Sequence, residues 1–408
     1  MKILWLCNIV LPELCEEFGF RTSYAGGWLS GMWNELRKDS KIELAVCVPI
    51  KDKKYAKDGE YIGYKYYSFQ WQAECEGQLE QIIRFKEIIE SFNPDIIHIW
   101  GTEYIQTNSM IKACCDKGII ERVIINIQGL LYKYTEQYTY GMRDGYSDKI
   151  LNSMLERQVY EIESLSMIHN VSGRTEWDKL GVLHINSKVN YYHCGEILRE
   201  SFYHGLKWSY DACEKNTILI SQASYPIKGF HLIIKYLARL RDQYPALKVK
   251  VCGKSPLDDE SEYKHIISEL IIKYNMENII LFVGAQDEKE MLKEYLNTSV
   301  FLSPSLIENS SNSVCEALAL GVPVISSCVG GMESIVNNFN NGLMYNLGEE
   351  EKIVEYISMI FDNRSIAEKL SDNAVISSKK LNGKQECSET LKSIYNTLYQ
   401  STANKKII

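Results

Sequence analysis

The amino-acid sequence predicts an α/β protein made of two doubly wound parallel sheets that face each other across a cleft. Three observations carry this reading. Short apolar runs rich in Ile, Val and Leu alternate with longer helical patterns, which is βαβ order. The runs are continuous, as in strands covered by helices on both faces. The pattern weakens between 195 and 215 and then restarts, so the chain holds two such units. Residues 1–205 are read as a first Rossmann-like domain, 206–385 as a second, and 386–408 as a separate helical end. Sheets of this kind take ligands beyond the carboxyl ends of their strands, so the loops that follow strands are where chemistry is sought.

The first run, 2–7 (KILWLC), superficially resembles a leader peptide. It has no small-x-small cleavage site, and Glu13, Glu16 and Glu17 follow soon after, so it reads as a buried strand. Further strands are expected at 42–48, 95–99 and 122–127, with helices near 28–38, 78–92, 104–117 and 147–166. The second half repeats the order. Its strands fall at 217–222, 247–252, 279–283, 299–303 and 322–326, its helices near 229–243, 261–274, 287–297, 312–320 and 350–361. A last helical stretch covers about 386–400.

Composition bounds the function. Hydrophobic residues make up 45% and charged residues 24%, which suits a globular chain and excludes disorder as its main state. A net charge of −8 argues against a general nucleic-acid binder. Apolar stretches such as 317–332 carry Gly, Pro and Ser and fall short of about 18 residues, so no membrane span is expected. The twelve cysteines include no CxxC pair and the seven histidines no HxxxH or HExxH, which indicates neither a disulfide framework nor a zinc site. Scattered thiols fit a reducing cytoplasm. There is no Asp-x-Asp; Asp258 and Asp259 are adjacent in a polar stretch that reads as a loop, so no metal is expected.

The most informative segment is 303–335, SPSLIENSSNSVCEALALGVPVISSCVGGMESI. Glu308 follows a strand and a Ser-Pro-Ser turn. The small polar residues Asn309, Ser310, Ser311 and Asn312 can cap a helix starting near Ser313, and Glu316 falls in its first turns. Such a helix end offers backbone N–H groups and a positive dipole to a phosphate or to sugar hydroxyls. Two carboxylates beside it suit hydroxyl donors, whereas a surface Glu308 and a Glu316 that merely complements the dipole suit the same spacing. A second segment, 221–231 (SQASYPIKGFH), places Lys228 and Gly229 at a helix entrance, where charge, backbone approach and dipole fit a diphosphate. A third, Gly26 and Gly27 before a helix, fits either close backbone approach to a ligand or a simple turn.

The two glutamates seven residues apart, the ALALGVPVI run and the following GGMESIV resemble the signature of the retaining nucleotide-sugar glycosyltransferases of GT-B fold, the glycosyl transferases group 1. The resemblance implies a hexosyltransferase-like, metal-independent enzyme with no cofactor, which moves a sugar from a nucleotide-diphosphate sugar to an acceptor hydroxyl. It implies that Glu308 accepts from the donor sugar and Glu316 from the ribose. Asn309, Ser310 and Ser311 would lie beside sugar and diphosphate, and the loop around Gly284 would flank the nucleobase. Lys228 would stabilise the leaving diphosphate, with Gly26 and Gly27 facing it from the first domain. Where the family has an arginine before the Lys-Gly pair, Gln222 or Ser224 stands here, and Arg174 is the candidate substitute. Where it has a histidine at the end of the strand 122–127, Gln128 stands here. Glutamine is no proton acceptor of useful basicity, though it can hold a hydroxyl.

His98, at the end of the strand 95–99, fits a core role or a phosphate or acceptor contact. The stretch 130–146, with five tyrosines, Lys133 and Arg143, fits an acceptor surface or plain packing. The family further implies that the helix within 386–408 packs back on the first domain. It implies a glycan, lipid-linked or other hydroxyl acceptor in surface-glycan synthesis, and a cytoplasmic protein with peripheral contact at the inner membrane face. The rival readings are a nucleotide-sugar epimerase of the same shape and a non-catalytic nucleotide-sugar-binding protein.

Overall fold

Each half of the chain starts with an apolar strand that becomes the middle of its own sheet. The computed structural model describes residues 1–20, 26–72, 77–141, 148–258 and 260–405. They divide into two compact units: Met1–Thr135, Asn152–Ile197 and Lys384–Ile408 form one, Glu136–Leu151 and Leu198–Gly383 the other.

Unit 1 runs β1 (Lys2–Leu6), α1 (Gly27–Leu36), β2 (Glu43–Ile50), β3 (Gly59–Tyr61), β4 (Tyr64–Gln70), α2 (Gln78–Phe92), β5 (Ile96–Trp100), α3 (Ile105–Asp116) and β6 (Val123–Asn126). Then come α4 (Leu131–Gly141) and α5 (Asp148–Met167), of which 136–141 and 148–151 are grouped with unit 2, followed by β7 (Asn170–Gly173), α6 (Glu176–Ile185) and β8 (Asn190–His193). The sheet order is β3-β4-β2-β1-β5-β6-β7-β8, parallel except for the antiparallel edge pair of β3 and β4. Strand alternation splits the core by chemistry. Leu4, Leu6, Ile97 and Ile99 meet aliphatic and aromatic side chains of α2 and α3, among them Phe85, Ile88 and Met110. Trp5, His98 and Trp100 point the other way, where Trp5 meets Trp33 edge-on at 5.4 Å and His98 stacks on Trp100 at 4.1 Å.

Unit 2 runs β9 (Thr217–Ile220), α7 (Phe230–Gln243), β10 (Lys248–Cys252), α8 (Glu262–Lys273), β11 (Ile280–Gly284), α9 (Glu288–Asn297), β12 (Val300–Ser303), α10 (Asn312–Leu320), β13 (Val324–Ser327), β14 (Leu343–Tyr345), α11 (Lys352–Asp362) and α12 (Arg364–Asn382). Its sheet is wholly parallel, in the order β11-β10-β9-β12-β13-β14. The chain winds to one side of β9 and then to the other from β12, so the winding reverses between them. The final helix, α13 (Lys384–Lys405), belongs to unit 1.

All nine predicted strands are present within one to three residues of their expected ends. Five were not predicted. β7 (NVSG) and β8 (NYYH) hold no apolar run, and β14 has only three residues. β4 mixes Lys65, Ser68 and Gln70 into an aromatic run, and β3 is an exposed edge. β11 departs from the expected continuous burial, because as an edge strand it leaves Leu281 exposed. Among the described residues no helix is long and apolar enough to cross a membrane.

Candidate functional site

The carboxyl ends of β9 and β12, where the winding of unit 2 reverses, bring the two strongest sequence motifs together. The loop after β9 ends in a 3-10 turn, Pro226–Lys228, closed by Gly229 at φ 70°. A Cβ at Gly229 would lie 1.9 Å from the carbonyl oxygen of Pro304, so only glycine lets this loop meet the one after β12. Leu306 N donates to Ile227 O at 2.8 Å and ties the two loops. Lys228 Nζ then reaches Glu308 Oε1 at 2.6 Å, and Ser305 Oγ donates to the same oxygen at 2.9 Å. The loop after β13 closes the third side. Gly330, at φ 55°, would carry a Cβ 2.0 Å from Glu308 O, and Gly331 N donates to that oxygen at 2.9 Å. The Gly-Gly motif thus holds the backbone of Glu308.

Ser311 is the N-cap residue of α10, and its side chain makes no cap hydrogen bond to the helix backbone. Its hydroxyl lies 3.0 Å from that of Ser313. The amino end of α10 stands beside Glu308, with Asn309 buried and Ser310 half-buried there, and of the expected capping residues it is Ser311 that takes the N-cap position. Glu316, one turn further on, is almost wholly buried at 6% exposure. Arg199 grips it with Nε to Oε1 at 2.7 Å and Nη2 to Oε2 at 2.8 Å, and the Tyr295 hydroxyl, which donates to Ser313 O at 2.9 Å, lies 3.3 Å from Oε2. Burial pushes the Glu316 carboxyl above its usual range, against the pull of Arg199. Gln222 follows β9 and donates to Ser224 Oγ at 3.3 Å. Gly284 ends β11, and Gln286 folds back to donate to Val283 O at 2.8 Å.

Unit 1 has a cluster of its own at the ends of β6, β7 and β8. Gln128 Nε2 donates to Glu196 Oε1 at 2.6 Å and to Asn126 Oδ1 at 2.5 Å. Arg174 Nη1 donates to Glu196 Oε2 at 2.6 Å, with Arg174 and Glu196 both buried. Gln128 and Arg174, singled out separately in the sequence, thus share one carboxylate, and the Arg174 charge is matched within its own unit. Gly26 is the N-cap of α1 and Gly27 its first residue. His98 is fully enclosed, 2.6 Å from the Tyr395 hydroxyl, and burial holds it down to about 3. It is a neutral core residue that offers no surface to a phosphate or acceptor. At the reversal between β1 and β5, Glu103 Oε2 lies 3.5 Å from Asn8 Nδ2, and burial pushes its carboxyl up to about 7.

Four residues of these clusters were not found from sequence. Arg199 and Glu196 sit where the periodic pattern fades, and Tyr295 is indistinguishable from core. Buried Glu161 accepts from Leu131 N at 2.9 Å and Tyr132 N at 2.8 Å and so caps α4 from a distance. Of the tyrosine-rich stretch, 142–146 lie outside the described residues, as does Asp259; Asp258 accepts from Ser255 N at 3.1 Å in a turn. Among the described residues no three His, Cys, Asp or Glu side chains group as a metal site.

Residues 209–375 match the family described as glycosyl transferases group 1. Over 167 residues the chain is 24% identical to an uncharacterised glycosyltransferase of Haemophilus influenzae, covering 41% of this chain and 45% of that protein. It is 28% identical over 181 residues to the capsular polysaccharide biosynthesis glycosyltransferase CapM of Staphylococcus aureus, covering 44% of this chain and 45% of CapM. The match therefore spans less than half the length of these relatives. Among solved structures, sucrose-phosphate synthase of Thermosynechococcus elongatus superposes with a TM-score of 0.76 at 16% identity, over 98% of this chain and 100% of that one. Anabaena HepE, solved with UDP and glucose, gives 0.69 at 14% identity over 97% and 99%. At such identities the likeness concerns the fold, which is GT-B: two Rossmann-like α/β domains.

Proposed function

We propose that the chain is a glycosyltransferase that moves a sugar from a nucleotide-diphosphate sugar to an acceptor hydroxyl, with retention at the anomeric carbon, in surface-glycan synthesis. The observation that carries this reading is the Lys228 and Glu308 pair at the winding reversal of unit 2, beside the amino end of α10 and held by two glycines that admit no side chain. The group 1 match over this unit and the UDP-bound HepE structures support a nucleotide-sugar donor. When the diphosphate arrives, Lys228 exchanges Glu308 for phosphate oxygens, and Glu308 turns to the sugar hydroxyls. Lys228 and the α10 amino end then stabilise the charge that grows on the leaving phosphate as the C–O bond breaks. The acceptor oxygen bonds to the anomeric carbon on the face the phosphate leaves, and its proton passes to the departing phosphate oxygen. No base is needed at Gln128, which serves as a hydrogen-bonding residue.

A second reading, a nucleotide-sugar-binding protein without turnover, draws on Gln128 and Arg174 both being engaged by Glu196. One experiment separates the two. UDP-, GDP- and ADP-sugars are scored by thermal shift and by nucleotide release, with Lys228→Ala and Glu316→Ala beside the parent. A donor that stabilises the parent and is turned over, with both effects lost in the variants, establishes the transferase. Binding without release in the presence of any acceptor extract favours the second reading.

A further inference from the structure

Unit 1 reverses its winding between β1 and β5, at the carboxyl ends of strands where such sheets take ligands. The loop that follows β5 there is fixed along its length. Gly101 N donates to Asn126 O at 2.9 Å, and the Gly101 carbonyl accepts from Thr107 Oγ1 at 2.8 Å. Thr102 Oγ1 donates to Glu161 Oε1 at 2.5 Å, and Arg157 Nη1 donates to Glu103 O at 3.1 Å. Arg157 also lies over the Tyr104 ring at 5.3 Å. The backbone is held, yet the polar side chains beside it are not used up. Glu103 Oε2 has Asn8 Nδ2 at 3.5 Å, a weak contact, and Asn8 Oδ1 accepts from Gln106 Nε2 at 3.0 Å. Gln106 Oε1 is buried and has no partner among the described residues, which folds rarely allow. Gly101 has φ 99°, and a Cβ there would run into both Glu103 Oε2 and Asn8 Nδ2, so only glycine leaves this pair its space.

We propose that Glu103, with Asn8 beside it, is the acceptor-specificity site of unit 1 and takes hydroxyl groups of an uncharged sugar. The inference rests on the transferase reading above and names the acceptor class which that reading leaves open. The charged and titratable groups that act on Glu103 are Glu161 and Arg157, both from α5. Burial, with Glu161 adding to it, favours the protonated carboxyl. The N–H groups of Glu103 and Thr102 and the Arg157 charge oppose it, and the balance lies at about 7. A protonated carboxyl both donates and accepts, which matches a sugar hydroxyl. A phosphate or carboxylate would need a cation, and Arg157 is already spent on Glu103 O and the Tyr104 ring. An uncharged sugar buries the carboxyl further and brings no charge to offset that. It therefore binds the protonated form, and above pH 7 its binding takes up a proton from solvent.

The test is ligand-observed NMR titration of the full chain at pH 5.5 to 8.5. The probes are the methyl glycosides of glucose, galactose and N-acetylglucosamine, set against methyl glucosaminide, methyl glucuronide and glucose 6-phosphate. UDP, GDP and ADP are titrated separately. The parent is compared with Glu103→Gln and Glu103→Ala. A neutral glycoside is expected to bind the parent better than the three charged probes at pH 6, and about tenfold more weakly at pH 8 than at pH 6. Glu103→Gln keeps an uncharged group that donates and accepts. It should bind that glycoside within about threefold of the parent at pH 6, and equally well at pH 8. Glu103→Ala should lose about tenfold or more at pH 6. A merely structural carboxyl would leave the parent's profile flat. A flat parent profile, a Glu103→Gln profile with the parent's slope, a charged probe binding best, or no neutral glycoside binding, overturns the inference while the transferase reading stands. A parent that binds no nucleoside diphosphate overturns that reading and the acceptor role with it. The parent's pH profile and its choice among the probes decide the matter even where a variant fails to fold.

Discussion

Lys228 and Glu308, 2.6 Å apart, neutralise each other, and the proposed donor would replace one of them. Glu308→Gln is expected to keep nucleotide binding and to lower transfer on the order of 10² to 10³-fold, measured as kcat with the donor held saturating. At the reversal of unit 1, Glu103 carries a carboxyl pushed up to about 7 by burial. Its folded pKa lies above the unfolded value of about 4.3, so the folded state holds the extra proton between those values, and stability falls as the pH rises through that window. His98, held down to about 3, acts oppositely and loses stability as the pH falls below about 6.5. Between about 4.3 and 6.5 the two slopes oppose each other, so Glu103→Gln should turn a nearly flat profile in denaturant unfolding into one that rises with pH up to about 6.5. A parent and variant of equal slope would refute this. Residues of this kind are legible when a motif surrounds them, as with Glu308. Arg199 and Glu196 are not, because a loop residue whose partner lies far along the chain leaves no periodic trace.

The loops after β9, β12 and β13 meet backbone to backbone, and glycine is the residue that permits it. Gly229→Ala would press a methyl against Pro304 O, and Gly330→Ala against Glu308 O, each from a left-handed backbone. Each substitution is expected to cost about 1 to 3 kcal/mol of stability. Both should also weaken nucleotide binding more than Gly348→Ala, a surface glycine at φ 89° whose Cβ would meet nothing. Calorimetry on the three variants checks the order. The long elements were readable because burial on both faces writes a continuous apolar run, as in β1 and β5. β8 is a part-exposed edge strand, β7 is buried but carries Asn, Ser and Gly, and β14 is buried but only three residues long, so none writes one. The helix α6 did carry a signal, the Thr175 and Asp178 capping box, but it is too brief to stand against the polar residues around it.

Two sheets with separate cores make the molecule, and one helix joins its last residues to its first. Tyr395 of α13 sits among the aromatic side chains of unit 1, accepting from Trp5 Nε1 at 3.0 Å and lying 2.6 Å from His98 Nδ1. Tyr395→Phe leaves both partners buried without it and should cost about 1 to 3 kcal/mol. Removing 384–408 should unfold unit 1 at lower temperature while unit 2 still binds nucleotide, which scanning calorimetry with and without UDP would separate. The two doubly wound halves were legible from strand order alone. The membership of α13 in unit 1 was expected from the family resemblance alone, because its own pattern says only that it is a helix. That membership also has a meaning in time. His98 and Tyr395 are 297 residues apart in sequence. At about 5 to 20 residues per second, a ribosome leaves the aromatic face of unit 1 open for roughly 15 to 60 seconds before its closing piece is made. Unit 2 is completed within that interval, so of the two units the one begun earlier is finished later.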